Sequence, residues 1–248
     1  MNWEFKLLKH LGARERLSTY NAIQNTISRR HLNKVGFIND PDVFILRKEN
    51  NKLNDDEQYC LLLANVLFGD LLFNSDDIST YNAEKLFLYQ SIFPLVRKNN
   101  IIVQQEKDFF QVNFSIKDNY YLALFNLTNA DKIYKLSNSL FYDNRTQKYY
   151  KGNKNITVKK RSALCLLKIS STPFALLGSK GHIFSGTEIE QIYISNNILE
   201  IEWNKSVINP ITVWYRVPKN YDIEISSNSK IEEKTEDDDY ITYKISPN

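Results

Sequence analysis

The stretch of sequence that decides the fold is Val35-Gly36-Phe37-Ile38-Asn39-Asp40-Pro41-Asp42. Its apolar start predicts a short buried strand over 35–39. Proline fixes its own backbone φ and biases Asp40 away from helix, so we expect the strand to end here. A strand that ends in carboxylates and is followed by a long loop and a helix is typical of the active face of an α/β barrel.

Helix and strand signals alternate around this stretch. Asn54 and Glu57 have the spacing of a capping box, and Gly69 is placed to end the helix that they begin. Alternation of this kind predicts parallel strands joined by crossover helices. The predicted elements are a helix from Ser18 to about His31, a helix from Asn54 to Gly69, a strand over 71–73 and a helix over about 82–97 that is broken or kinked near Pro94.

From about residue 99 the pattern changes to short strands separated by Asn, Asp, Gly and Ser turns. Strands at intervals of roughly 8–12 residues are typical of a β-sandwich. We therefore predict two domains, an α/β segment over 1–97 and an antiparallel β-sandwich over 98–248. The acidic run 232–239 is predicted to be a solvated turn. The predicted strands are 109–114, 120–125, 156–158, 163–169, 189–194, 199–203, 212–217, 221–225 and 240–245.

Composition limits the classes of function. The 248 residues are 42% hydrophobic and 25% charged, and the net charge of +3 has no basic block, so we expect a soluble protein that does not bind nucleic acid. No apolar run reaches the roughly 20 residues that span a bilayer, and no signal peptide is recognisable, so we predict no membrane partner and a cytoplasmic location. Cys60 and Cys165 are predicted to be buried free thiols. The three scattered histidines lack metal-ligand spacing, and we predict neither metal nor cofactor.

The loop over 40–53 is the main candidate for chemistry. It exceeds the roughly 2–6 residues of an ordinary βα connection, and long loops on this face are usually functional. Asp40 and Asp42 have two interpretations. In the first they function in a pocket, as a general acid/base pair, by orienting a partner residue or by accepting hydrogen bonds from sugar hydroxyls; in the second they satisfy turn amides and pair with Arg47. Trp3 either forms a sugar-stacking wall or packs against the first helix. These alternatives stay open at this point.

The motifs over 29–47 and 53–77 resemble the melibiase-type α-galactosidase clan of glycoside hydrolases. In that family a strand ends in Asn-Asp-Pro-Asp, which is 39–42 here, and after a helix a second strand ends in Ser-Asp or Ser-Asn-Asp, similar to 74–77. The stretch 162–169 looks like the Ser-Ala-x-Leu-Leu strand of the family's C-terminal sandwich.

The resemblance implies that residues 1–97 are the last part of a (β/α)8 barrel, from its sixth to its eighth helix. The seventh and eighth strands would lie at 35–39 and 71–73, and the β-sandwich would follow. The family uses a retaining mechanism, which needs two carboxylates roughly 5–5.5 Å apart. In the family these carboxylates are the two catalytic aspartates, a nucleophile and an acid/base. The resemblance implies that both would lie upstream of Met1, so no residue of the chain is predicted to be catalytic.

The resemblance also implies a function. The chain would be the C-terminal portion of an α-galactosidase-like hydrolase, inactive alone, with an α-galactoside or related glycan as ligand and a missing N-terminal barrel segment as partner. The alternative is a non-catalytic β-sandwich protein that binds carbohydrate or another partner. The resemblance assigns Trp3, Asn39, Asp40 and Asp42 to the pocket wall, and Arg47 and Asp76 to organising the loop.

Overall fold

A computed structural model describes residues 2–4, 10–11, 18–39, 41, 43–221 and 223–248. Three α-helices have their bounds within these ranges: α1 (Thr19–Arg29), α2 (Asp55–Phe68) and α3 (Ala83–Gln90). Short 3₁₀ turns follow at Arg30–Leu32 and Ile78–Thr80. None of the helices within these ranges combines the length and the hydropathy needed to cross a bilayer.

The helix ends follow from local side-chain chemistry, as predicted. The Ser18 hydroxyl accepts a hydrogen bond from a backbone N–H in the first turn of α1. Asn54 and Glu57 form the reciprocal capping box of α2, and Gly69 is its C-cap. The helix α3 begins after an Asn82 cap but ends at Gln90, earlier than predicted. The three predicted helices are therefore confirmed, with a shorter third one.

The two predicted barrel strands are not formed in the described chain. Residues 34–36 form a turn in which Lys34 has a φ of 63°, and Val35 is 83% exposed. Leu71 and Phe73 are also exposed, and among the described residues these two segments form isolated parallel bridges in place of a ladder. The prediction of buried strands over 35–39 and 71–73 is wrong, because a strand needs a hydrogen-bonded neighbour along its length, and no described segment supplies one.

From Asn99 onward the regular elements of the described chain are β-strands. They form a six-stranded sheet β1-β2-β3-β8-β5-β6, a four-stranded sheet β14-β15-β12-β9, a three-stranded sheet β10-β11-β13 and a two-stranded sheet β4-β7. The pairs are antiparallel except β11 with β13. The strands are β1 (Asn99–Glu106), β2 (Phe109–Ile116), β3 (Asn119–Asn126), β4 (Lys132–Lys135), β5 (Phe141–Asp143), β6 (Lys148–Tyr150), β7 (Asn155–Val158), β8 (Ser162–Lys168), β9 (Ala175–Lys180), β10 (Ile189–Ser195), β11 (Ile198–Trp203), β12 (Thr212–Pro218), β13 (Glu224–Ile225), β14 (Ser229–Glu236) and β15 (Tyr240–Pro247).

Each predicted strand of this region overlaps an observed one, whereas β1, β4, β5, β6, β9 and β14 were not predicted. The interpretation of 232–239 as a turn is wrong for residues 232–236, which lie in β14. This strand is at the edge of its sheet and its side chains are almost all exposed, so its charges discourage pairing with another chain. Only the residues after Glu236 form the turn into β15.

The helix α2 is the centre of the main core. It is buried over nearly its whole length and packs between α1 and β8. Alternate residues of β3 serve the two faces of the six-stranded sheet: Ala123 and Phe125 join the core that contains α2, and Leu122 and Leu124 join a separate cluster with β4 and β7 residues. Cys60 and Cys165 are buried free thiols, as predicted. The main apolar core therefore crosses the predicted boundary between residues 97 and 98.

Candidate functional site

Asp76 is the centre of a hydrogen-bonded network that joins two loops. Its side chain has no exposed surface. The Oδ2 atom accepts from the backbone N–H groups of Leu46 at 2.6 Å and Arg47 at 2.9 Å, and from the Tyr81 hydroxyl at 2.7 Å. The Oδ1 atom pairs with Arg47 Nη1 at 2.5 Å. The network thus connects the loop that follows Asp42 to the segment that leads into α3.

These donors keep Asp76 ionised. Burial opposes ionisation, but the hydrogen bonds from Tyr81, from the Leu46 and Arg47 amides and from the Arg47 guanidinium outweigh it and hold the pKa of Asp76 below its ordinary value. A carboxylate that is removed from solvent and already occupied by protein donors is not available to attack a sugar or to transfer a proton. The geometry of Asp76 is that of a residue that holds loops together.

Arg47 extends the network to the start of α2. Its Nη1 atom also donates to the Ser75 carbonyl at 3.1 Å. Its own carbonyl accepts from Gln58 Nε2 at 2.9 Å and from Asn51 Nδ2 at 3.1 Å. Gln58 is buried in the first turn of α2. The loop between Arg47 and α2 is therefore held at both ends by side-chain hydrogen bonds.

A cavity of about 270 Å³ adjoins this network, and Leu46 and Gln58 form part of its wall. The remaining wall comes from Lys48 of the loop, from α2, from α3 and Ser91 after it, from the β5–β6 turn, and from the end of β9 and Ile183 after it. The Arg145 guanidinium lies 4.4 Å from the centroid of the Tyr59 ring and pairs with Asp56 at 2.8 Å. The volume is close to the lower end of the roughly 300–1,000 Å³ typical of ligand pockets, which corresponds to a small ligand such as a monosaccharide.

The wall of this cavity combines apolar surface with hydrogen-bonding groups. The Lys180 ammonium lies 5.4 Å from the centroid of the Phe87 ring, and Lys85 Nζ donates to Gln58 Oε1 at 3.4 Å. Aromatic rings offer flat apolar faces, while amide and ammonium groups supply donors. A ligand with both C–H faces and hydroxyl groups, which a pyranose has, matches this combination.

Asn39 and Trp3 lie away from this cavity and are not among the residues of its wall. The buried Asn39 side chain donates to the carbonyls of Phe68 at 3.1 Å and Thr26 at 3.4 Å, and so ties the end of α1 to the end of α2. Trp3 is 4% exposed, with the Arg161 guanidinium carbon 5.9 Å from its ring centroid. The structure thus joins Arg47 to Asp76, and it places Asn39 and Trp3 away from that pair. Asp40 and Asp42 lie outside the described residues.

Sequence reasoning missed Gln58, Tyr81 and the cavity wall. Gln58 carried a usable signal, because it is a polar residue in a helix that is apolar on every face, and such residues are buried with a hydrogen-bond partner. No sequence signal marked Tyr81, because its hydrogen bond to Asp76 depends on the path of the loop between the two residues. No group of three or more His, Cys, Asp or Glu side chains in the described ranges is placed to hold a metal ion.

Comparison with known proteins shows a shared fold and no sequence relative. No protein-family model matches the chain. No curated protein matches it either. Two solved structures of a GH27 β-L-arabinopyranosidase from Geobacillus stearothermophilus are similar: the wild type at a TM-score of 0.53, and a variant in complex with arabinose at 0.52. Both are 12% identical over 62% of this chain and 42% of that enzyme, so the chain spans less than half of its length.

At this identity the likeness shows the fold alone. Over the matched part the chain shares the fold of this GH27 enzyme, and the described chain is mostly β-sheet with few helices.

Proposed function

We propose that this chain is part of a GH27-like glycoside hydrolase of the α-galactosidase type, and that it contributes to binding a pyranoside without supplying the catalytic pair. The observation that carries this proposal is the fold shared with a GH27 glycosidase over 62% of the chain, since that enzyme is described in complex with arabinose. The Asn-Asp-Pro-Asp motif at 39–42 supports the α-galactosidase-like assignment.

The described buried carboxyl groups support the non-catalytic part of the proposal. Glu57 belongs to the α2 capping box, Asp143 accepts from the Arg145 amide and Thr146, and Glu188 accepts from Ser179 and two backbone amides. Together with Asp76, each is held in a separate network. A retaining glycosidase needs two carboxyl groups roughly 5–5.5 Å apart and open to the sugar. None of these four buried carboxyl groups of the described chain is therefore proposed as catalytic.

The cavity beside the Asp76 network is the proposed place for the sugar. It lies next to the loop whose length pointed to function, and the aromatic and hydrogen-bonding groups of its wall support a pyranose ligand. The Arg47–Asp76 pair would act indirectly by fixing the position of Leu46 and Gln58. The ligand would be an α-galactoside or a closely related glycan, such as a β-L-arabinopyranoside.

The experiment measures binding and turnover with the full chain. Methyl α-galactoside and methyl β-L-arabinopyranoside are titrated against the protein and followed by NMR, and the corresponding aryl glycosides are tested for hydrolysis. We expect saturable binding and no turnover. Lys85→Met should weaken binding, whereas Lys132→Met on the exposed strand β4 is a matched control.

Two outcomes refute separate parts of the proposal. Turnover by the pure chain that is abolished in Asp40→Asn would show that this chain does carry catalytic residues. Absence of saturable binding for both sugars would remove the carbohydrate assignment.

The alternative of an independent carbohydrate-binding β-sandwich is disfavoured by the packing. The core that contains Leu62 and Leu63 of α2 also contains residues of β2, β3 and β8, so the sheet depends on the helices to cover its apolar face. Binding assays on the full chain are therefore the appropriate test.

A further inference from the structure

A larger cavity, of about 690 Å³, lies where the end of α1 and the end of α2 meet the segment before β1. It shares no wall residue with the cavity beside Asp76. Leu67, Phe68 and Ile101 contribute apolar surface. Four cationic residues, Arg30, Lys34, Arg97 and Lys98, stand in the described wall against a single acidic one, Asp70.

The one acidic residue is already occupied by protein donors. Asp70 Oδ1 pairs with Lys34 Nζ at 3.0 Å, and its Oδ2 atom accepts from Asn33 Nδ2 at 2.7 Å. Arg30 Nη1 donates to the Ile27 carbonyl at 2.9 Å, which orients the guanidinium, and no carboxylate of the described chain pairs with it. The described wall of the cavity therefore has an excess of positive charge.

Lys98 is the cation in the least favourable surroundings. It is half-buried, and the hydrogen bonds and ion pairs of the described chain include none to its ammonium group. Burial lowers the pKa of Lys98 to about 8, the charge of Asp70 opposes this change, and Lys34 adds to it. An ammonium that is withdrawn from water without an acceptor is costly, and an anion beside it removes that cost.

We propose that this cationic cavity binds a small oxyanionic ligand, with a phosphate or carboxylate group placed beside Lys98 and Arg97. Charge-assisted hydrogen bonds from lysine and arginine to such oxygens are among the strongest that proteins form. The volume lies within the roughly 300–1,000 Å³ of small-molecule pockets, so it accommodates a sugar-sized body attached to the anionic group. This site is separate from the one proposed for a neutral pyranoside.

The test titrates the full chain with inorganic phosphate, glucose 6-phosphate and glucuronate, and with neutral glucose as the control ligand. We expect saturable binding of one or more of the anions, weakened by added salt, and none of glucose. The phosphate and glucuronate arms separate a phosphate ligand from a carboxylate ligand.

Variants assign the binding to this cavity. Lys98→Met should weaken anion binding by roughly tenfold or more, since one charge-assisted hydrogen bond is lost, and Arg97→Gln should act in the same direction. The control, Lys135→Met on the exposed strand β4, should leave the affinity within about twofold of the wild type. Circular dichroism verifies that each variant is folded.

A second readout does not depend on the Lys98 variant. In the wild-type chain with ¹³C-labelled lysine, saturating anion should raise the pKa of the Lys98 ammonium above the value in the free protein. Absence of saturable anion binding, an unchanged affinity in folded Lys98→Met, or an unchanged pKa of Lys98 on saturation would each overturn the proposal.

Discussion

Glu188→Gln should change the pH dependence of stability, because Glu188 is a fully buried carboxyl group. It has 0% exposed surface, and its Oε2 atom lies 2.5 Å from the Ser179 hydroxyl and 2.9 Å from the Gly186 amide. Its Oε1 atom accepts from the His182 amide at 2.7 Å. Burial raises the pKa of Glu188 to about 7, although these hydrogen bonds act in the opposite direction.

The raised pKa of Glu188 sets the sign of its contribution to the pH dependence of stability. The pKa of Glu188 is higher in the folded chain than the ordinary value of 4.5, so the folded state holds the proton more tightly. The resulting stability is present below about pH 4.5 and is lost as the pH rises through about 7. Integrated over that window, the contribution to the free energy of unfolding is about 3 kcal/mol.

His182 contributes a slope of the opposite sign. Burial lowers the pKa of His182 to about 4, while the hydrogen bond between its Nε2 atom and the Pro94 carbonyl, at 3.0 Å, opposes that change. The folded state therefore binds this proton less tightly, and stability is lost as the pH falls from about 6.5 to 4. In the wild type the contributions of Glu188 and His182 to the pH dependence of stability therefore largely cancel between about pH 4.5 and 6.5.

The assay is urea unfolding of the wild type and Glu188→Gln at pH 8 and pH 4.5, followed by circular dichroism. The variant should be less stable at both values, because its amide N–H₂ faces a backbone N–H donor. The difference between the two proteins should be about 3 kcal/mol larger at pH 4.5 than at pH 8. Glu200→Gln, an exposed change on β11, is the control. A difference that stays constant within about 1 kcal/mol between the two pH values would refute the reasoning.

Three further substitutions test the packing around the candidate site, each by urea unfolding. Asp76→Asn replaces an acceptor of four donors and should cost about 2–3 kcal/mol, whereas the exposed control Asp118→Asn should cost little; equal effects would contradict the buried network. Asn39→Ala leaves two buried carbonyls unsatisfied and should cost about 2 kcal/mol; a neutral result would show that water replaces the amide. Asn54→Ala removes the α2 cap and should cost about 1 kcal/mol, and unchanged stability would show that the cap is dispensable.

The local elements were predictable wherever their cause lies within a few residues. The capping box of Asn54 and Glu57, the stop at Gly69 and the Ser18 cap depend on hydrogen bonds within one turn. The alternating strands of the sandwich depend on the two-residue period of side chains, which the sequence displays directly. Three of the missed strands, β4, β5 and β6, are only three or four residues long and so show little of that period.

The predicted strands over 35–39 and 71–73 failed for a different reason. An apolar run shows that a strand is possible, but its hydrogen-bond partners belong to other segments, and the described chain places none beside these two. Val35 is consequently in an exposed turn, and Phe73 lies next to an isolated bridge. An apolar run forms a β-strand only where another segment lies alongside it and accepts and donates its backbone hydrogen bonds.

The candidate site also combines features that were predictable from the sequence with features that depend on the tertiary structure. The length of the segment was sufficient to mark a long loop after the Asp-Pro-Asp motif. The roles of Arg47 and Asp76 as its organisers were implied only by the family resemblance and by no local pattern. Only the tertiary structure decided that Tyr81 completes the Asp76 network, that Gln58 and Arg145 face one cavity, and that Asn39 joins two helices. These contacts join segments far apart in the chain, and their geometry is set by the packing of α2 against the sheet, which no local pattern encodes.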